Sequence, residues 1–235
     1  MLREPADEVE LTASVVMMCG LPASGKTTTA GRLHAHAGGV LIRSCDVYAD
    51  LDIDLPDWVV RTKGFTVNVH EYDVVRDRAY DEIARRLTES LFASELVILD
   101  AVYGERSKRS AIYALGRSHH VDVTLIHCRC DDAAEIERRL DRRRGRENVP
   151  EHEASDYSVF RDIARRWEDP SGDRLADDSR PTIVSVDTSC EPPIVCGAGT
   201  DSRLACQLRA ALAAVEAPRY RSFAPQPPAS RESLA

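Results

Sequence analysis

Eight residues, Gly20-Leu21-Pro22-Ala23-Ser24-Gly25-Lys26-Thr27, constrain the fold of this chain more than any other feature. They match G-x-x-x-x-G-K-[ST], follow the apolar run Val15 to Met18, and lead into a stretch from Lys26 to Ala37 with helical character. Strand, glycine-rich turn and helix in that order make a phosphate cradle, a P-loop. The glycines let backbone N–H groups turn toward phosphate oxygens, and the helix N-terminus adds its partial positive charge. In such a cradle Lys26 reaches the β and γ phosphates, and Thr27 can ligate magnesium. The expected nucleotide-binding residues are Gly20, Leu21, Pro22, Ala23, Ser24, Gly25, Lys26, Thr27 and Thr28, with Mg2+ at Thr27.

The rest of the pattern agrees with such a site. Four more apolar runs, Val40 to Ile42, Leu96 to Leu99, Val121 to Ile126 and Ile183 to Val186, read as strands. Between them, Tyr72 to Phe92 carries Ala79, Ile83, Leu87 and Leu91 on one helical face. Ser107 to Arg117 is a shorter helix, and Asp132-Ala133-Ala134-Glu135 has the spacing of a capping box that opens another. Glu153 to Glu168 and Ser202 to Val215 also have helical character. Strands alternating with helices imply an α/β doubly wound fold with a parallel sheet. Asp50 to Asn68 breaks the alternation and is expected to be a substrate-facing insertion. With 235 residues and 43% hydrophobic content, one domain over 13–216 is expected. Residues 1–12 are expected to form an N-terminal extension, and 217–235 a disordered, proline-rich tail.

A formal net charge of -8 argues against a long nucleic-acid groove, whose affinity comes mainly from Lys and Arg on phosphates. The longest apolar stretch, Leu11 to Leu21, is too short to span a bilayer. The acidic N-terminus lacks the basic, then apolar, order of a secretory signal. A cytoplasmic location is expected, with the seven cysteines reduced. His127-Cys128-Arg129-Cys130 has no second ligand pair at zinc spacing, so strand-end packing is the expectation there.

Two carboxylates stand at strand ends, where open α/β sheets place their ligands. Asp100 closes the run Leu96 to Leu99 and is the expected second magnesium-side group. Asp46, after Ile42-Arg43-Ser44-Cys45, is placed to take the proton from an attacking hydroxyl. Six arginines crowd Arg138 to Arg146. Most are expected on a solvated face, but Arg139 and Arg143 share one side of a helix and could neutralise charge on a transferring phosphoryl group.

These motifs together resemble the small P-loop kinases related to zeta toxins, chloramphenicol phosphotransferase and the kinase domain of phage polynucleotide kinase. The matching elements are the P-loop, Arg43-x-x-Asp46, Asp100-Ala101, the Arg139-Leu140-x-x-Arg143 helix, Ser155-Asp156 and Trp167-Glu168-Asp169-Pro170. The resemblance runs from about Val15 to Ser189. It implies a three-layer sandwich on a five-stranded parallel sheet with an arginine-rich helical lid. It also implies ATP and magnesium, transfer to a hydroxyl with Asp46 as base, and catalytic Lys26, Arg139 and Arg143. A nucleotide-side loop after the last strand would contain Asp187 and Thr188, and Arg43 would face the acceptor. Relatives often carry Asp-x-x-Arg after the second strand, whereas Asp46-Val47-Tyr48-Ala49 ends in Ala. Arg61, Lys63, Arg106 and Arg109 are candidates to replace that cation, with Arg109 the one expected at the pocket mouth.

The leading expectation is an ATP-dependent kinase for a small-molecule hydroxyl. A polynucleotide 5'-hydroxyl kinase, with the arginine cluster on the nucleic-acid backbone, is one alternative. A non-enzymatic nucleotide-dependent switch is the other.

Overall fold

A computed structural model describes residues 14–51, 69–144, 157–196 and 203–214, with only the backbone of 69–72, 144, 158 and 159. The expected insertion, the N-terminal extension and the proline-rich tail lie outside the described residues, apart from Asp50 and Leu51 of the insertion.

The apolar runs form a sheet of order β2-β3-β1-β4-β5-β6. Its strands are β1 (Ser14–Cys19), β2 (Val40–Arg43), β3 (Leu96–Asp100), β4 (Asp122–Arg129), β5 (Thr182–Asp187) and β6 (Ile194–Cys196). The first five are parallel, with β1 paired to β3 through Met18↔Asp100 and to β4 through Cys19↔His127. The expected count of five is corrected to six, because β6 pairs antiparallel to β5 through Val186↔Val195. Three residues after Pro192-Pro193 are too few to show a period, which is why the edge strand escapes a sequence reading.

Both faces of β1 are buried, so its sequence is continuously apolar rather than alternating. Val15, Met17 and Cys19 pack with Ile83 and Leu87 of α3 (Val69–Leu91) and with Ile112 and Tyr113 of α4 (Arg106–Ser118). Val16 and Met18 point the other way, onto Ala30 and Leu33 of α1 (Lys26–Ala37) and Leu208 and Leu212 of α7 (Arg203–Ala213). The result is a three-layer sandwich. Truncating a fully buried member such as Leu33 or Leu125 to Ala costs about 2–5 kcal/mol at such sites.

The fourfold spacing predicted in α3 is the one that buries Ala79, Ile83 and Leu87. The expected cap also forms: Asp132 Oδ1 accepts from the backbone N–H groups of Ala134 and Glu135, at 2.9 and 3.2 Å, opening α5 (Ala133–Arg144). Ile136 and Leu140 of α5 dock on Ala23, with Tyr157 and Phe160 of α6 (Tyr157–Arg165) packed against them. One helix had no period to announce it. It is α2 (Ser44–Asp50), which begins directly at the end of β2.

Candidate active site

The eight-residue turn leaves β1 through Gly20 (φ 154°) and enters α1 through Gly25 (φ 85°). These two glycines are required. A Cβ at Gly20 would collide with the Cys128 carbonyl oxygen and Ser24 Oγ, and one at Gly25 would press on the Thr188 side chain. Ala23 takes a left-handed φ of 61°, held there by its packing under α5. Lys26 is 8% exposed, and its Nζ donates to the Leu21 carbonyl at 2.7 Å. Burial pushes the Lys26 ammonium down to about 8, opposed by the Asp100 charge and reinforced by Arg143. The cation is thus held across the turn at a cost that an arriving phosphate would relieve. Thr27 is half-buried and Thr28 exposed, both in the first turn of α1.

On the β2/β3 flank, register puts Arg43 beside Asp100. Arg43 Nε lies 4.0 Å from Asp100 Oδ2, and its Nη1 lies 3.7 Å from Asp46 Oδ1. Asp100 is 5% exposed, whereas the Asp46 side chain is 55% exposed in the first turn of α2, where the helix dipole favours its charge. Cys45 Sγ donates to Asp46 Oδ1 at 3.6 Å, and burial pushes this thiol up to about 12. The neighbouring sulfur is therefore a neutral thiol at pH 7. Arg43, Asp46, Asp100 and Lys26 thus cluster at the C-terminal ends of β1, β2 and β3. A magnesium ion suits the hydroxyl of Thr27 and the buried carboxylate of Asp100, both hard oxygen donors, since this cation keeps several waters and needs few protein ligands. Among the described residues, no group of three or more His, Cys, Asp or Glu side chains is arranged for a metal ion.

On the β4/β5 flank the expected residues assemble differently. Arg139 donates from Nε to Glu135 Oε1 at 2.6 Å, from Nη1 to the Ala23 carbonyl at 2.9 Å and Thr188 Oγ1 at 3.1 Å, and from Nη2 to the Thr188 carbonyl. Thr188, 4% exposed, also bonds through its hydroxyl to the carbonyls of Ser24 and Arg129, at 2.9 and 3.0 Å. Its side chain ties the P-loop to the strand ends. Asp187 accepts from the backbone N–H and hydroxyl of Ser189, at 2.9 and 2.6 Å, closing a tight turn. Arg143, one turn beyond Arg139, is half-buried, and its charge is felt at Lys26.

Arg109 is not at the pocket mouth. It is fully buried, with Nε and Nη2 on Asp173 Oδ2 and Oδ1 at 2.6 and 2.7 Å and Nη1 on the Tyr103 carbonyl at 2.9 Å. All three nitrogens are used within the protein, so the residue locks α4 to the segment that follows α6. Asp173 was not legible in the sequence as its partner, because 64 positions separate them. Arg106 reaches the same carboxylate at 3.5 Å from a half-exposed position. Arg61 and Lys63 lie outside the described residues.

No helix among the described residues is long and apolar enough to cross a membrane. No curated protein matches the sequence significantly. Among solved structures, a gluconokinase from Sinorhizobium meliloti 1021 is 20% identical, with a TM-score of 0.50 over 86% of this chain and 91% of its own. A sugar kinase from Janibacter sp. HTCC2649 is 16% identical, with a TM-score of 0.53 over 85% and 92%. Kti12 from Chaetomium thermophilum, in complex with ADP-AlF3, is 18% identical, with a TM-score of 0.50 over 84% and 95%. At these identities the likeness is one of fold. Residues 15–169, well over half the chain, match the model of the AAA_33 family, described as an AAA domain. That span opens on β1 and takes in the P-loop, Asp46, Asp100 and the arginine helix, so the chain belongs to this family and has the fold of the P-loop kinases.

Proposed function

We propose that the chain is an ATP-dependent phosphotransferase that moves the γ-phosphate to a hydroxyl of a small molecule. The observation that carries this reading is the placement of Asp46 and Asp100 around Arg43, on the flank of the P-loop where Lys26 is buried. In the reaction the acceptor oxygen attacks the γ-phosphorus, the bond from that phosphorus to the β,γ-bridging oxygen breaks, and ADP leaves. Asp46 takes the hydroxyl proton, Lys26 and Arg143 meet the charge on the transferring group, and Thr27 and Asp100 hold magnesium. Arg139, Asp187 and Thr188 shape the nucleotide side, and Arg43 orients the acceptor-side carboxylates. In this reading the expected catalytic role of Arg139 becomes one of positioning, since its guanidinium already bonds Ala23 and Thr188.

Two structural neighbours are named gluconokinase and sugar kinase, which makes polyols and sugar acids the first acceptors to examine. A membership closer to the zeta toxin and chloramphenicol phosphotransferase group, and a cytoplasmic location, belong to the same proposal. The test is ADP release from ATP and Mg2+ across an acceptor panel that includes 5'-hydroxyl oligonucleotides. Acceptor-stimulated ADP release that disappears in Lys26→Ala supports the reading. Nucleotide binding without turnover on any acceptor favours a switch, and turnover on oligonucleotides alone favours a polynucleotide kinase.

A further inference from the structure

Among the described residues, the non-glycine positions with a positive φ are Ala23, Tyr103, His120 and Asp178. His120 and Asp178 sit in exposed turns, and both residue types tolerate that conformation. Tyr103 is different. It is bulky, fully buried and held at φ 45°, a conformation that costs free energy its surroundings must supply. Its hydroxyl is buried as well and has no hydrogen-bond partner, a second uncompensated cost at the same residue.

The bonds around Tyr103 show what this conformation holds in place. The Tyr103 N–H donates to the Tyr80 hydroxyl at 3.1 Å, and the Tyr103 carbonyl accepts from Cys19 Sγ at 3.3 Å and from Arg109 Nη1 at 2.9 Å. The Tyr80 and Tyr103 rings meet edge to face, with centroids 5.2 Å apart. The residues on either side are engaged too. The Val102 carbonyl accepts from the Gly20 N–H at 3.1 Å, and the Gly104 carbonyl accepts from the Glu168 N–H at 2.9 Å. Three successive carbonyls thus serve the P-loop, then β1 with α4, then the segment after α6.

A negative φ at position 103 would redirect the chain on one side of it, so that the Val102 and Tyr103 carbonyls could not both keep these partners. Gly20 cannot follow such a shift freely, because it is pressed against the Cys128 carbonyl oxygen and Ser24 Oγ. The first residue of the P-loop is therefore wedged between β4 and the loop that leaves β3.

We propose that Tyr103 is a positioning residue for nucleotide binding: its left-handed turn holds the Val102 carbonyl on Gly20 and so sets the entry of the P-loop, while its own side chain is sealed in the core. The proposal rests on the reading of the P-loop as a nucleotide site, and the experiment separates the two.

Tyr103→Leu and Tyr103→Ile remove the same ring and hydroxyl and leave isomeric side chains, but a β-branched residue resists positive φ more than Leu does. Affinity for β,γ-imido-ATP with Mg2+ is measured by calorimetry, and urea unfolding shows that each variant is folded. The Ile variant should bind about fivefold more weakly than the Leu variant, or worse, because binding must restore a turn that Ile has left. A packing role alone would weaken both alike. Tyr103→Phe should bind as the wild-type protein does, since its hydroxyl has no partner to lose. If Ile prevents folding, Tyr80→Phe is the milder lesion: it takes away the acceptor of the Tyr103 N–H and should weaken the analogue by about twofold or more. Equal affinities for the Leu and Ile variants, weak binding by Tyr103→Phe, or full-strength binding by Tyr80→Phe would each overturn the proposal and leave the nucleotide reading in place. No binding by the wild-type protein would remove both.

Discussion

In the proposed reaction Asp46 and Lys26 have different roles, and their burial predicts different failures. Asp46 is exposed, and its partners among the described residues are Arg43 and Cys45 rather than the P-loop, so Asp46→Asn should leave ATP affinity nearly unchanged. Turnover should fall about 10² to 10⁴-fold, the usual contribution of a general base, as measured by nucleotide titration alongside steady-state rates. Lys26 behaves otherwise, because its ammonium is lowered to about 8. Phosphates bind the charged form, so ATP affinity should decline as pH rises through about 8, approaching a tenfold loss one unit above it. Lys26→Arg, if it binds at all, should lack that decline, since a guanidinium does not titrate there. A flat affinity profile from pH 7 to 9 in the wild-type protein would remove Lys26 from phosphate contact. The P-loop, Asp46 and Asp100 were legible as residues because their chemistry is local: a turn needs its glycines and a strand end needs its polar residue. The pairing of Arg109 with Asp173 was not, because an arginine in an amphipathic helix reads as a surface charge until the distant carboxylate that buries it is known.

Among elements, α5 and the segment after α6 are the ones whose roles the structure clarifies. Arg139 and Arg143 occupy one face of α5, as their spacing required, and Arg139 bonds the Ala23 carbonyl of the P-loop and Thr188. In the proposed reaction Arg143→Ala should lower turnover by roughly 10³-fold, and Arg139→Ala, which also loosens the P-loop, should weaken nucleotide affinity as well. Equal effects on affinity would show that the two arginines act as one unit. The segment after α6 depends on a buried charge pair. Asp173→Ala leaves Arg109 ionised in the core and should cost about 3–5 kcal/mol in urea unfolding, whereas the double replacement Arg109→Met, Asp173→Leu should recover much of that loss. A small penalty for Asp173→Ala would mean that water reaches the guanidinium. Element existence was predictable wherever a period ran for more than about a turn, as in α1 and α3. It failed at α2 and β6, which are short and take their conformation from what precedes them rather than from a pattern of their own.

For the whole molecule, anything that binds the folded chain and not the unfolded one stabilises it by mass action. ATP with Mg2+ at a hundred times its dissociation constant should add about 2.7 kcal/mol. For a domain of this size that is a rise in melting temperature of roughly 5–10 °C, which calorimetry would detect and which Lys26→Ala should abolish. A shift of the same size in Lys26→Ala would place the nucleotide elsewhere. The sheet order has a further consequence. Because β1 stands in the middle of β2-β3-β1-β4-β5-β6, the proposed duties sort by sequence position as well as by space. In the proposed reaction β2, β3 and α2, on one side of β1, supply the carboxylates of the acceptor flank, and β4, α5 and β5, on the other side, supply the arginine helix, with Thr188 directly after β5, for the nucleotide flank. The two blocks meet along β1 and its turn and again after α6, where Arg109 pairs with Asp173, Arg166 with Asp73, and the Arg106 N–H with Glu168. Recombination between such molecules is therefore constrained at that seam: a gene segment that imports a new acceptor side must still bring an arginine opposite Asp173, or the chimera buries a lone charge.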